Sequence, residues 1–173
     1  MPGLRAGLAC VLVLGFALPF AQAVAQQAPG PETSLILGPS DYDLSTGSGT
    51  SFAVSAALAF RPTHGVLVVE PSLGYLTYHN DFHQRAHWFF PELSFQAEAA
   101  KGNLRPFIGG GGGVGIGSRV GGNRYEATLH ALAGLRLRLG SGWGARVEVR
   151  LRSVHPFSGH TADVGIGVVR GIM

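Results

Sequence analysis

Apolar and polar residues alternate with period two along most of this chain, and no long segment repeats apolar residues at helical spacing. In WGARVEVRLRS, Trp143, Ala145, Val147, Val149 and Leu151 share one face, while Arg146, Glu148, Arg150 and Arg152 share the other. LHALAGLRLRL repeats the pattern, setting Leu129, Ala131, Ala133, Leu135, Leu137 and Leu139 against His130, Leu132, Gly134, Arg136 and Arg138. FFPELSFQAEA does the same with Phe89, Pro91, Leu93, Phe95 and Ala97 against Phe90, Glu92, Ser94, Gln96 and Glu98. Even the glycine run in RPFIGGGGGVGIG keeps this parity: Ile108, Gly110, Gly112, Val114 and Ile116 form one face, and Gly109, Gly111, Gly113, Gly115 and Gly117 leave the other bare.

On this basis the mature chain holds eight strands, over residues 34–44, 51–61, 66–78, 87–99, 104–118, 124–139, 143–154 and 161–170. PTHG, KGN and GSG read as tight turns, whereas STGSGT, HNDFHQRA, RVGGN and HPFSGH read as longer connections. An even number of strands, each about ten residues or more, joined alternately by short and longer connections, predicts an all-β fold: an eight-stranded antiparallel up-and-down transmembrane β-barrel.

Alternation alone does not choose the outer face, because a soluble periplasmic ligand-binding barrel would turn the same two sets the other way. Two features choose. The polar faces carry small groups, with Ser51, Ala53, Ser55, Ala57 and Ala59 on one strand and five glycines on another, which suits a crowded lumen and not a wetted surface. The long charged side chains concentrate on neighbouring strands and need both room and counter-charge. Arg136, Arg138, Arg146, Arg150 and Arg152 are therefore expected to meet Glu70, Glu92, Glu98, Glu148 and Asp163 inside the barrel. An arginine facing lipid at the midplane costs about 2–4 kcal/mol, which forbids the reverse arrangement. Glycine within a strand costs about 0.5–1 kcal/mol against alanine, and close approach of these arginines is the reason expected for the run. A lumen filled this way is expected to be plugged.

Composition supports a membrane setting. Asp, Glu, Lys and Arg make up 13 % of the 173 residues, against roughly 25 % in an average soluble domain. Lys101 is the sole lysine, which argues against the exposed basic patch of a nucleic-acid binder. Residues 1–25 carry Arg5, the apolar AGLACVLVLGFALPF and a small-residue site at Ala23-Val24-Ala25, the order of a cleaved secretory signal; the apolar run is too short for a spanning anchor. Cys10, the only cysteine, lies within it, so the mature chain has no disulfide, thiolate metal site or cysteine nucleophile. Residues 26–33 then form a short N-terminal segment, and 34–173 the barrel domain. Tyr75, Tyr78, Trp88, Phe89, Phe90 and Trp143 are expected to form interfacial aromatic belts.

The stretches RPFIGGGGGVGIG, ALAGLRLRLGSGWGARVEVRLRS and HTADVGIGVV together resemble the small outer-membrane β-barrel proteins of Gram-negative bacteria, over about the last five strands. The closing VVRGIM departs from the aromatic end usual there. The resemblance implies outer-membrane location, insertion by the barrel assembly machinery, contact with outer-membrane lipid and lipopolysaccharide, and roles from envelope integrity to adhesion. A monomer without a cofactor is expected.

Three chemical candidates compete with that role. Gly110, Gly112 and Gly115 satisfy G-x-G-x-x-G, but SRVGGNRYEA after them is no helix, so the phosphate-binding context is missing. His79, His83 and His87, at spacings of four, would suit a metal only if their loop turned helical. Ser153, His155 and Ser158 are the candidates for nucleophile and base should the barrel be a lipid-modifying enzyme of the lipid A deacylase kind. In those deacylases the serine follows the histidine by two residues, where this chain has Phe157.

Overall fold

The computed structural model describes residues 30–44, 47–62, 66–79, 85–99, 103–119, 122–140, 142–154 and 159–171. Eight strands follow one another: β1 (Glu32–Leu44), β2 (Gly47–Ala59), β3 (Leu67–His79), β4 (Arg85–Glu98), β5 (Leu104–Arg119), β6 (Gly122–Gly140), β7 (Trp143–Val154) and β8 (Gly159–Gly171). Each pairs antiparallel with its sequence neighbours, and β8 pairs with β1 to close the barrel. Closure leaves no free sheet edge around the girdle, the condition for taking backbone through hydrocarbon.

Several strands run past their expected ends. β2 starts at Gly47, not at residue 51, and β6 spans 19 residues because Asn123 and Gly122 stay in register with Ser118 and Arg119. The hairpins keep pairing where turn-forming residue types suggested loops, since each further rung satisfies two backbone groups. β1 likewise takes in Glu32 and Thr33, two residues assigned to the N-terminal segment. Between β6 and β7, Gly140 and Gly142 hold positive φ of 99° and 77°, and the register shifts by a bulge at Arg138/Gly140.

The alternation translates directly into inside and outside. Leu35, Phe52, Leu73, Phe95, Ile108, Leu129, Leu151 and Ile166 point outward and are exposed, while their sequence neighbours are turned into the lumen. The aromatic belt needs correction. Tyr75, Phe89 and Trp143 do face outward, but Tyr78, Trp88 and Phe90 are buried inside the barrel. They join Tyr42, Leu44, Leu76, Ala86 and Val154 in an apolar cluster inside the barrel at the end away from the chain termini. Trp88 stacks on Phe90 with ring centroids 5.8 Å apart, and its indole N–H donates to Tyr78 Oη at 3.2 Å.

The reason for the glycine run also differs from the expectation. A Cβ on Gly109, Gly111 or Gly113 would stand 2.3, 1.9 or 2.1 Å from the carbonyl oxygens of Phe95, Leu93 and Pro91 on β4. At Gly115 and Gly117 it would meet the Trp88 ring at 2.8 Å. The neighbouring strand's backbone and an indole, not a guanidinium, keep this face bare. β5 lies so close over β4 that only hydrogen fits.

Candidate functional site

The lumen between the apolar cluster and the chain termini is occupied by charge. Among the described residues, Arg61, Arg105, Arg136, Arg146, Arg150 and Arg152 meet Glu32, Glu70, Glu92, Glu98, Glu148 and Asp163 in a connected set of ion pairs. These residues come from all eight strands or their ends, because inward parity on each one delivers its polar positions to the axis. Arg146 and Glu70 form the centre: Nη1 donates to Oε2 at 2.6 Å and Nη2 to Oε1 at 2.8 Å, and both side chains are fully buried. Arg136 donates to Glu70 Oε2 at 2.8 Å, to Gln96 Oε1 at 2.6 Å and to Glu98. Glu98 also accepts from Arg61 and Arg105, at the end of the barrel holding the termini.

A second knot lies nearer the apolar cluster. Glu92 accepts from Arg152 Nε at 2.7 Å, Arg152 Nη2 at 3.0 Å and Arg150 Nη1 at 2.9 Å. Arg152 Nη1 donates onward to Thr161 Oγ1 and to Asp163 Oδ2, each at 2.8 Å, and Ser40 donates to Asp163 Oδ1. Arg150 Nε donates to Glu148 Oε1 at 2.9 Å; Arg146 also bonds Glu148, so the two knots are one network. Aromatic faces complete the coordination. The Arg136 and Arg146 guanidinium carbons lie 4.3 and 4.8 Å from the Phe107 ring centroid, and that of Arg152 lies 4.2 Å from Phe90. Carboxylates take the edges of these three guanidinium groups and rings take a face of each, which offsets the cost of removing the cations from water.

Of the ten residues proposed for this network from sequence, nine meet. Arg138 has the right parity but sits at the rim, exposed, and forms no ion pair among the described residues. It stands two residues nearer the β6–β7 turn than Arg136, beyond the reach of the carboxylates. Sequence reasoning missed Glu32, Arg61 and Arg105, whose signal was present: each continues the inward parity of its strand past the segment's last obvious polar residue. It also passed over His130, which is buried, with Nε2 hydrogen-bonded to Ser94 Oγ at 2.8 Å and Nδ1 3.4 Å from Glu92 Oε1.

Of the chemical candidates, the described residues include Ser153, His79 and His87. Ser153 lies on the outward parity of β7, paired across the strand with His160; His155 and Ser158 lie outside the described residues. His79 and His87 stand on the outward face of the β3–β4 hairpin, where Tyr75 Oη and His87 Nδ1 are 2.7 Å apart; His83 lies outside the described residues. Among the described residues no group of three His, Cys, Asp or Glu side chains converges. Residues 1–25 also lie outside the described residues.

The molecule is a closed, eight-stranded antiparallel barrel, the fold seen in solved structures of small outer-membrane barrels. No protein-family model matches the sequence, and no curated protein matches it. Among solved structures it is similar to Neisserial surface protein A, at TM-score 0.71 and 13 % identity, over 83 % of this chain and 97 % of that one. It is also similar to the N-terminal β-barrel domain of Pseudomonas aeruginosa OprF, at TM-score 0.59 and 16 % identity, over 84 % and 100 %. A third similar structure is Ail, the attachment invasion locus protein of Yersinia pestis, solved with the heparin analogue sucrose octasulfate, at TM-score 0.52 and 11 % identity, over 83 % and 99 %.

Proposed function

We propose that this chain is a monomeric barrel spanning the outer membrane of a Gram-negative envelope, with a structural or surface-interaction role and a lumen closed to ions. The observation that carries the reading is the pairing of an apolar band around the exterior with a lumen occupied by the ion-pair network below and the Tyr42–Trp88–Phe90 cluster above. The network is neutral in sum, six guanidinium groups against six carboxylates, so no net field draws ions of one sign. Export through a signal cleaved after Ala25 and insertion by the barrel assembly machinery would leave the β2–β3, β4–β5 and β6–β7 turns in the periplasm. The opposite rim would then contact lipopolysaccharide and external partners. A surface role accords with the names of two similar barrels, a surface protein and an attachment protein.

Two measurements test it. In envelope fractionation the protein is expected with outer-membrane markers and to migrate faster on a gel unheated than boiled; recovery in the soluble periplasm would overturn the membrane reading. Reconstituted in planar bilayers it is expected to pass no steady current; a stable channel would overturn the closed lumen.

A further inference from the structure

Within the network, a cavity of about 30 Å³ lies against β1, β2 and β3. Small residues, Gly38, Ala53, Ser55 and Gly74, line one side together with the larger apolar Ile36, Leu76 and Phe90, and Glu148, Arg150, Arg152 and Asp163 line the other. The room is imposed by the barrel wall. A Cβ at Gly38 would stand 2.0 Å from Val164 O, so that position cannot grow, whereas one at Gly74 would make ordinary contact with Phe90 Cβ at 3.4 Å and Arg152 Nη2 at 3.6 Å. Two buried polar atoms on its lining, Ser55 Oγ and Arg150 Nη2, have no protein hydrogen-bond partner. Arg150 is 2 % exposed, and its Nη2 stands 3.9 Å from Glu70 Oε1, beyond hydrogen-bonding reach.

We infer that this cavity is a structural hydration site, holding two water molecules that join Ser55 Oγ on β2 to the Arg150 guanidinium on β7. A water needs roughly 10–15 Å³ of such space, so the volume admits two. Buried polar groups in folded proteins are almost always bonded, and a guanidinium N–H left bare in a low-dielectric interior is costly. The lining pairs two guanidinium groups with two carboxylates, so it selects a neutral ligand over a halide or a metal cation. The waters extend the ion-pair network, which otherwise touches β2 only through Arg61 just past its end, onto the inner face of that strand.

The test uses crystals of the full barrel grown from sodium bromide. Two peaks within hydrogen-bonding distance of Ser55 Oγ and Arg150 Nη2, without anomalous signal at the bromine edge, are expected. A bromide peak would replace the water site by an anion site, and a cavity collapsed onto a direct protein contact would remove it; either overturns the inference. In detergent micelles, magnetisation transfer from water to the Arg150 guanidinium protons is expected in the native chain. It should persist in Ser55→Ala, which keeps the volume, and fall by at least half in Ala53→Leu, whose side chain occupies the space. Absence of transfer in the native chain, or its retention in Ala53→Leu, overturns the site. Should Ala53→Leu fail to fold, the transfer in the native chain and the bromide crystals still decide.

Discussion

Replacing Glu70 with glutamine isolates the charge at the centre of the network from its shape. The side chain keeps its length and one acceptor oxygen, but the carboxylate that now accepts three hydrogen bonds, from Arg136 Nη2 and from both terminal nitrogens of Arg146, is gone. Hydrogen bonds to charged groups each contribute about 1.5–3 kcal/mol net. With its oxygen in the Oε2 position the glutamine amide retains two of the three acceptor contacts, but it must aim an N–H at Arg146 Nη2 and it leaves one buried guanidinium charge uncompensated, so the loss exceeds that of a single such bond. That agrees with the roughly 3–5 kcal/mol measured when one partner of a buried pair is removed. The expected result is a destabilisation of about 3–5 kcal/mol, read by urea unfolding in lipid vesicles through Trp88 inside and Trp143 outside the barrel. Converting both Glu70 and Arg146 to methionine should recover most of it, because Arg136 keeps Gln96 and Glu98. A Glu70→Gln loss below about 1 kcal/mol would refute the claim that these charges depend on one another.

Other outcomes follow from the same geometry. Gly111→Ala, whose Cβ would lie 1.9 Å from Leu93 O, should destabilise by about 3 kcal/mol or more and slow folding on heat-modifiable gels, whereas Gly110→Ala, 3.0 Å from His130 O on the other face, should be far milder. Val149→Arg, at the middle of β7 and facing outward, should cost about 2–4 kcal/mol in vesicles, and Trp143→Arg near the turn about 0–1 kcal/mol. The continuous β2–β3 ladder runs from Phe52↔Thr77 to Ala57↔Ser72 and is interrupted at Pro71, which has no N–H, with one further bridge at Phe60↔Val69, while β5–β6 pairs without a break from Leu104↔Leu137 to Arg119↔Gly122. Peptides covering 47–51 and 67–72 should therefore exchange amide hydrogen before 104–119, as read by mass spectrometry; equal rates would contradict the weak seam.

The lumen residues show where local reading succeeds and where it stops. Arg146, Glu148, Arg150 and Arg152 were legible as one face because a strand turns successive side chains to opposite sides, a property of a few consecutive residues. That Glu92 holds both Arg150 and Arg152, across sequence separations of 58 and 60, was not. Those pairs depend on the stagger at which eight strands close. The same limit explains Arg138, correct in parity and wrong in height, and Tyr78, Trp88 and Phe90, whose aromatic character suits a membrane interface and a barrel interior equally.

By itself, then, the order of residues determined the strand count, the two faces of each strand, the scarcity of surface charge and so the barrel and its outward side. Tertiary structure alone decided which carboxylate neutralises which guanidinium, that an indole and a neighbouring backbone explain the glycines of β5, and where a cavity remains. Period-two alternation is written in adjacent residues, whereas contact across the axis depends on the register and curvature of all eight strands together, which no short stretch encodes.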